Sequence, residues 1–193
     1  LTCTFNNVEF QRAQYESILE DVTTGTEGGG YHHITHCYFD YDTYQQHNYS
    51  TVYLKRRGTI VSGCEFNGGP ASGVYKALFA VRISDDAYGT RILGNIFRSY
   101  GVYYAGFGGC GIYVDGGGWS TISDNVFENS YITGTGSYTP GTTGTGYDIY
   151  VTATPVGNLI TGNMINTAII DASGGGGSVL YGGVASTVAN PVH

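Results

Sequence analysis

Apolar residues recur along this chain in a six-residue phrase: an aliphatic residue, two variable positions, Asn or Cys, one further residue, then Phe. The copies are Ile34-Thr35-His36-Cys37-Tyr38-Phe39, Val61-Ser62-Gly63-Cys64-Glu65-Phe66, Ile92-Leu93-Gly94-Asn95-Ile96-Phe97 and Ile122-Ser123-Asp124-Asn125-Val126-Phe127. Ile160-Thr161-Gly162-Asn163-Met164-Ile165 is a fifth with Ile for Phe, and Cys3-Thr4-Phe5 reads as the tail of another. The Asn/Cys column then advances by 34, 27, 31, 30 and 38 residues. A second phrase precedes the first: Val52-Tyr53-Leu54, Val81-Arg82-Ile83, Ile112-Tyr113-Val114 and Ile149-Tyr150-Val151 alternate apolar and polar, the period-two mark of a half-buried strand. Ser50, Phe79, Cys110 and Tyr147, two residues earlier, are expected to point inward as well. A repeat of about 30 residues built from short strands predicts a solenoid whose coils bury their apolar faces only against neighbouring coils.

One coil is therefore a strand, a short turn, a second strand ending at the Ile/Val column, a sharp bend, a third strand carrying Phe, and a variable loop. Asn suits the bend because it tolerates the left-handed backbone region, and its amide can pair with its counterparts in the coils above and below. Stacked coils place Cys3, Cys37 and Cys64 in that same column about 4.8 Å apart. That is shorter than the separation most disulfides prefer, so buried free thiols are expected. Cys110 falls in a different column, without an obvious partner.

Composition narrows the classes. Glycine is abundant, 32 of 193 residues, but 41% apolar and 14% aromatic content argues for a packed chain over a disordered one. A net charge of −7, with eight basic residues in all, speaks against a nucleic-acid partner. No stretch approaches the roughly 18 apolar residues of a membrane span. Leu1 reads as the start of a processed or excised piece, with neither Met nor a signal pattern ahead of it.

On these residues the chain resembles the right-handed parallel β-helix family, which includes pectate lyases, polygalacturonases and viral tailspikes. The expected fold is all-β, a single right-handed parallel β-helix of about six three-strand coils over residues 1–171. Residues 172–193 are left as an irregular Gly-rich last coil, cap or exit linker. The resemblance implies that the Val-Tyr-Leu strands form the first sheet. It also implies a sugar groove along the outside of that sheet, walled by the loops 40–49, 67–76, 98–109 and 128–146. Those loops carry Tyr41, Tyr44, Tyr49, Tyr75, Tyr103, Tyr104, Tyr131 and Tyr138.

Aligning the first-sheet strands puts Tyr53, Arg82, Tyr113 and Tyr150 in one outward column, with Lys55, Asp85, Asp86 and Asp115 just beyond. Flat rings meet sugar C–H faces, and paired carboxylates are the acid and base of glycoside hydrolysis. The candidate catalytic residues are thus Asp85, Asp86, Asp115 and Arg82; the candidate substrate-binding residues are Tyr53, Lys55, Tyr113 and Tyr150. The Asp-Asp pair is similar to that of polygalacturonases, but the Asn-Thr-Asp, Gly-His-Gly and Arg-Ile-Lys motifs of that family are missing. A structural alternative stacks Glu20-Asp21, Arg56-Arg57 and Asp85-Asp86 as ion pairs of alternating sign, with Ile18 in the place of Leu54. His32, His33 and His36 beside Cys37 have metal-binding side chains, yet a strand followed by a bend scatters them to different faces. Asp115-Gly116-Gly117-Gly118 reads as a tight turn more than a calcium loop. No cofactor or metal is therefore expected.

The reading is an extracellular or virion-surface glycan-engaging module of tailspike or polysaccharide-processing type, its partner a polysaccharide or cell-surface glycan. If it is an enzyme, it is a polysaccharide hydrolase or lyase. The alternative is a non-catalytic shaft or filament subunit that assembles as a homo-oligomer through the ends of the helix.

Overall fold

A computed structural model of the chain describes residues 2–11, 16–20, 31–40, 50–68, 79–84, 87–98, 100, 110–128, 147–152, 157–166, 169–171 and 180–182. Three parallel sheets wrap one core, and successive turns of the chain lay one strand on each. Among the described residues the first sheet has six strands, the second seven and the third five. The first runs Ile18–Leu19, Ser50–Leu54, Phe79–Ile83, Cys110–Val114, Tyr147–Val151 and Ile169–Asp171. The second begins at Thr4–Asn6 and takes His33–Thr35, Ile60–Ser62, Arg91–Leu93, Thr121–Ser123, Leu159–Thr161 and Leu180–Gly182. The third stacks Glu9–Gln11, Tyr38–Asp40, Glu65–Asn67, Ile96–Arg98 and Val126–Glu128. Strands two to five residues long, joined only to the coil above and the coil below, are a parallel β-helix. Leu180–Gly182 lies beside Leu159–Thr161, so a strand of this helix falls within the Gly-rich segment. No helix among the described residues is long and apolar enough to cross a membrane.

The two expected columns pack in register. Ile34, Val61, Ile92, Ile122 and Ile160 pair in line along the second sheet, and all are buried. β-Branched side chains fit here because their restricted rotamers suit a pleated surface. The rings of Phe10, Phe39, Phe66, Phe97 and Phe127 stack face to face at 4.7–4.9 Å with planes within 13° of parallel. That distance is the spacing of neighbouring strands, about 4.8 Å, so the sheet itself sets the ring stack.

Register corrects the first copy of the repeat. Phe5 pairs with Ile34 and Phe10 with Phe39, so the phrase is Phe5-Asn6-Asn7-Val8-Glu9-Phe10 and Cys3 stands outside the column. Val8 takes the Asn/Cys place, where its carbonyl accepts the Tyr38 N–H at 2.9 Å. The steps become 29, 27, 31, 30 and 38 residues. Beside Val8, Thr35 Oγ1 donates to Asn6 Oδ1 and the Cys3 N–H to His32 Nδ1, each at 3.0 Å, so these two coils are joined by side chains outside the column and Val8 adds only its backbone bond.

The left-handed residue of the bend is also one position earlier than expected. Asn7, His36, Gly63, Gly94, Asp124 and Gly162 have φ of +52° to +66°, while Asn95, Asn125 and Asn163 do not. Asn, Asp, His and Gly are the residues that bear this conformation best. The Asn column instead supplies hydrogen bonds. Asn125 Oδ1 accepts from the Asn95 N–H at 3.0 Å and from Asn95 Nδ2 at 2.9 Å. Asn163 Oδ1 does the same for Asn125, and each amide donates back to a carbonyl of the preceding coil: Val61, Ile92 and Ile122 for the three in turn.

Cys64 performs the same two tasks with one atom. Its Sγ accepts the Cys37 N–H at 3.4 Å and donates to the Ile34 carbonyl at 3.4 Å, while its own N–H goes to Asn95 Oδ1 at 2.9 Å. The four cysteines are free thiols, three of them buried. Burial pushes the Cys64 thiol from 9.0 up to about 12.

Two further expectations shift. Ile18 pairs with Val52, not Leu54, which places Glu20 in the inward column beside Leu54. Glu20 is 6% exposed. Its carboxylate accepts the N–H groups of Lys55 and Arg56 at 2.7 and 2.8 Å and the Thr59 hydroxyl at 2.6 Å. It satisfies the turn of the next coil from below and does not stack beside Arg56 in a surface ion-pair ladder. Asp21, Asp85 and Asp86 lie outside the described residues.

The inward assignment of residues 50, 79 and 110 is overturned as well. Phe79 and Cys110 are buried in a separate cluster with Tyr150 and Tyr113, on the outward column's side of the first sheet. The inward places go to Thr51, Ala80 and Gly111: a Cβ on Gly111 would strike the Phe127 ring at 2.6 Å. Two consecutive inward residues break the alternation, and strand pairing skips this position in every coil.

Replacing Asn125 by Leu should strand the Asn95 N–H and the Ile92 carbonyl. At about 1–3 kcal/mol per stranded buried group, the loss expected in urea unfolding is about 3 kcal/mol. Cys64→Asn should instead be tolerated, because it extends the ladder. Since the folded thiol titrates above the unfolded one, its stabilisation is complete below pH 9 and is lost as pH rises towards about 12. The urea midpoint of Cys64→Asn should therefore fall less steeply across that window than that of the native chain.

Candidate functional site

The first sheet brings Tyr53, Arg82, Tyr113 and Tyr150 together as the sequence implies, each paired with the next in register. The outward column is built because strand alternation turns Val52, Val81, Ile112 and Ile149 into the core and leaves the following residue on the other face. Arg82 is its centre. The guanidinium carbon lies 4.7 Å from the Tyr53 ring centroid and 5.7 Å from that of Tyr113, and Nη2 forms an ion pair with Asp115 Oδ2 in the next coil. Lys55 Nζ sits 4.6 Å from the Tyr53 centroid. Candidates named from three coils thus form one connected line of Lys55, Tyr53, Arg82, Asp115 and Tyr113.

The rings of this line are already engaged with one another. Phe79 stacks on Tyr113 at 4.3 Å with an 8° interplanar angle, and Tyr113 meets Tyr150 at 5.8 Å. Tyr150 is only 8% exposed. Phe79 was absent from the sequence reading of the site. The signal for it was the run of small residues, Ala80 and Gly111, beside the β-branched Val81 and Ile112, which marks a second inward position. What the face offers a ligand is therefore a set of polar groups, not free ring faces.

Burial opposes the charge of Arg82, but the hydrogen bond to Asp115 and its negative charge outweigh this, and the guanidinium is held above its ordinary value. The Arg82 Nε is buried without a hydrogen-bond partner. Burial, and then the Asp115 charge, raise the Tyr113 phenol above its ordinary value of 10.0, so it remains a hydrogen-bond donor throughout the physiological range. Asp115, ion-paired, presents a carboxylate that accepts hydrogen bonds. Hydrolysis by a carboxylate pair needs a second such group at a defined distance. Asp85 and Asp86, the sequence candidates for it, lie outside the described residues, as do the eight loop tyrosines.

The remaining candidates have local roles. His32 Nδ1 accepts the Cys3 N–H at 3.0 Å, His33 is exposed on the second sheet, and His36 occupies the left-handed bend over Gly63. Among the described residues no three potential metal ligands converge. Gly117 has φ +70°, and a Cβ there would come within 2.9 Å of the Ser84 carbonyl, so this glycine lets one coil lie against the preceding one. Arg98 pairs with Glu65 and Glu128 of the flanking coils on the third sheet, away from this line.

No protein-family model, curated protein or solved structure matches the chain.

A double-mutant cycle on Arg82→Met and Asp115→Ala should return a coupling of about 1 kcal/mol in chemical unfolding, the upper end for surface ion pairs, because both side chains are about 30% exposed. A coupling near zero would leave the pair without a role in joining the coils.

Proposed function

We propose that this chain is a glycan-engaging β-helix module of the tailspike or polysaccharide-processing type, acting outside the cell or on a virion surface. The observation that carries the reading is the axial line of Lys55, Tyr53, Arg82, Asp115 and Tyr113, which spans neighbouring coils on one face. A guanidinium–carboxylate pair beside phenol hydroxyls is a set of donors and acceptors spaced to meet successive sugar hydroxyls. Because the rings stack on each other, recognition here works through hydrogen bonds, with the aromatic column holding those groups rigid. A ligand that runs parallel to the axis would meet such groups coil after coil, at a repeat of about 4.8 Å.

Binding is the primary role in this reading. Arg82 anchors Asp115 as an acceptor, and cleavage as a hydrolase or lyase would draw on Asp85 or Asp86 as the second acidic group.

A second reading, a shaft or filament subunit, has its own support. Among the described residues the strands Thr4–Asn6, Glu9–Gln11 and Ile18–Leu19 stand at the edges of their sheets, with Phe5 and Phe10 only partly buried. A further coil, of this chain or of another copy, would cover them.

The deciding experiment is retention and turnover on a panel of acidic and neutral polysaccharides, with the native chain beside Tyr113→Ala and Asp115→Ala. Retention weakened at least about tenfold in either variant, equivalent to about 1.4 kcal/mol, is the expected result. Absence of retention and turnover throughout, with concentration-dependent growth in sedimentation, would select the shaft.

A further inference from the structure

The turn between the first and second sheets carries a column of left-handed residues: Tyr31, Gly58, Gly89, Trp119 and Gly157, with φ of +55° to +73°. Three are glycine, the residue this conformation favours. The other two are large aromatics, for which it is a true outlier. Both are well exposed, Tyr31 at 66% and Trp119 at 69%. Burial therefore does not account for a ring at either place.

Each ring is nonetheless held. Tyr31 lies against Gly58 of the next coil, where a Cβ would come within 2.8 Å of Cδ1 and Cε1. Trp119 lies against Gly157 in the same way, with Cε3 2.9 Å from a Cβ built there. Glycine thus leaves room for the ring in two separate coils, and the rest of each ring faces solvent. The turns between them are joined by backbone bonds: Tyr31 N–H to Arg57 O at 3.0 Å, Gly58 N–H to Tyr88 O at 2.8 Å and Gly89 N–H to Gly118 O at 2.9 Å. Tyr88, 38% exposed, sits on this rail with Arg57 Cζ 5.3 Å from its ring centroid.

Charge identifies the occupant. The chain carries −7 overall with eight basic residues, yet Lys55, Arg56 and Arg57 fall together in this one turn. Lys55 and Arg57 form no ion pair among the described residues and lie over Tyr53 and Tyr88 instead. The nearby Glu20 carboxylate is turned inward and taken up by the Lys55 and Arg56 N–H groups and the Thr59 hydroxyl. Rings recurring along the axis suit a ligand with recurring flat apolar faces, and the exposed Arg57 suits one bearing carboxylate or sulfate groups.

We propose that Tyr31, Arg57, Tyr88 and Trp119 form a ledge that binds an acidic polysaccharide along the helix axis, by ring stacking and by ion pairing at Arg57. The ledge deepens the glycan reading above and rests on it. It names the ligand class, and it takes the stacking role that the engaged rings of the first sheet leave open.

Trp119 is the chain's one tryptophan, so its emission reports this surface directly. The test is titration of the full chain with alginate, hyaluronan and dextran, following Trp119 emission in parallel with affinity electrophoresis. The acidic polymers should shift the emission and retard the protein, with dextran at least tenfold weaker. Trp119→Gly and Tyr31→Gly should each weaken retardation at least tenfold while leaving the melting temperature unchanged or raised, because glycine relieves the left-handed strain. Arg57→Gln should remove the preference for acidic polymers. Dextran binding as tight as alginate would overturn the acidic specificity. Retardation that persists in Trp119→Gly and is lost in Tyr113→Ala would overturn the ledge and leave the first-sheet reading standing. Absence of retardation by every polymer would overturn both.

Discussion

Everything in this molecule depends on in-register hydrogen bonding between one coil and the next. A coil has no interior of its own; its inward side chains face a space only as wide as the triangle formed by the three sheets. The backbone ladders set a spacing of about 4.8 Å, and identical columns of aliphatic and phenylalanine side chains then fall at van der Waals distance. The Asn ladder enforces the same spacing at the bend, where it takes up the N–H of the column residue and the carbonyl of the aliphatic residue three positions before it, beside the backbone bonds of the neighbouring positions. Asn95, Asn125 and Asn163 each join an N–H of the coil before to a carbonyl of that coil, so a slip of one residue would strand buried groups at every step.

Cys64 shows how little chemistry that position requires. One sulfur accepting from Cys37 and donating to Ile34 replaces an amide oxygen and an amide nitrogen, with longer and weaker bonds. Farther along, Cys37 has a shorter reach still, donating to the Thr35 carbonyl of its own coil at 3.3 Å. The column thus grades from amides through thiols to Val8, and the requirement for side-chain hydrogen bonding relaxes in that direction. Compatibility with the spacing, more than identity of the residue, is what the bend selects.

The outer surface obeys different rules on its different faces. On the first sheet, outward aromatics and Arg82 lean on one another and are half covered, so rigidity is gained and ring faces are lost. At the turn between the first and second sheets the rings of Tyr31 and Trp119 remain open, because each rests on a glycine instead of another ring. A solenoid makes this division natural: strand positions must keep the register and stack, while turn positions answer only to the neighbouring turn.

The repeat phrase and the period-two strands were enough to determine the three-sheet solenoid, the aliphatic and phenylalanine columns and the outward line through Tyr53, Arg82, Tyr113 and Tyr150. Those features depend on which residue types recur at which spacing, and such recurrence is written in one dimension. The sequence could not place Phe5 and Val8 in the first coil, because a pattern defined by Asn or Cys passes over a coil that needs neither. Nor could it show that Gly111 yields its inward position to the Phe127 ring, that Glu20 turns under Lys55 and Arg56, or that Trp119 lies on Gly157. Each of these is a contact between residues some 16 to 38 positions apart, across the core of one coil for Gly111 and Phe127 and between neighbouring coils for the others, and is decided by side-chain volume and hydrogen-bond needs. Spacing within the chain fixes the direction in which a side chain leaves the backbone; only stacking decides what it meets there.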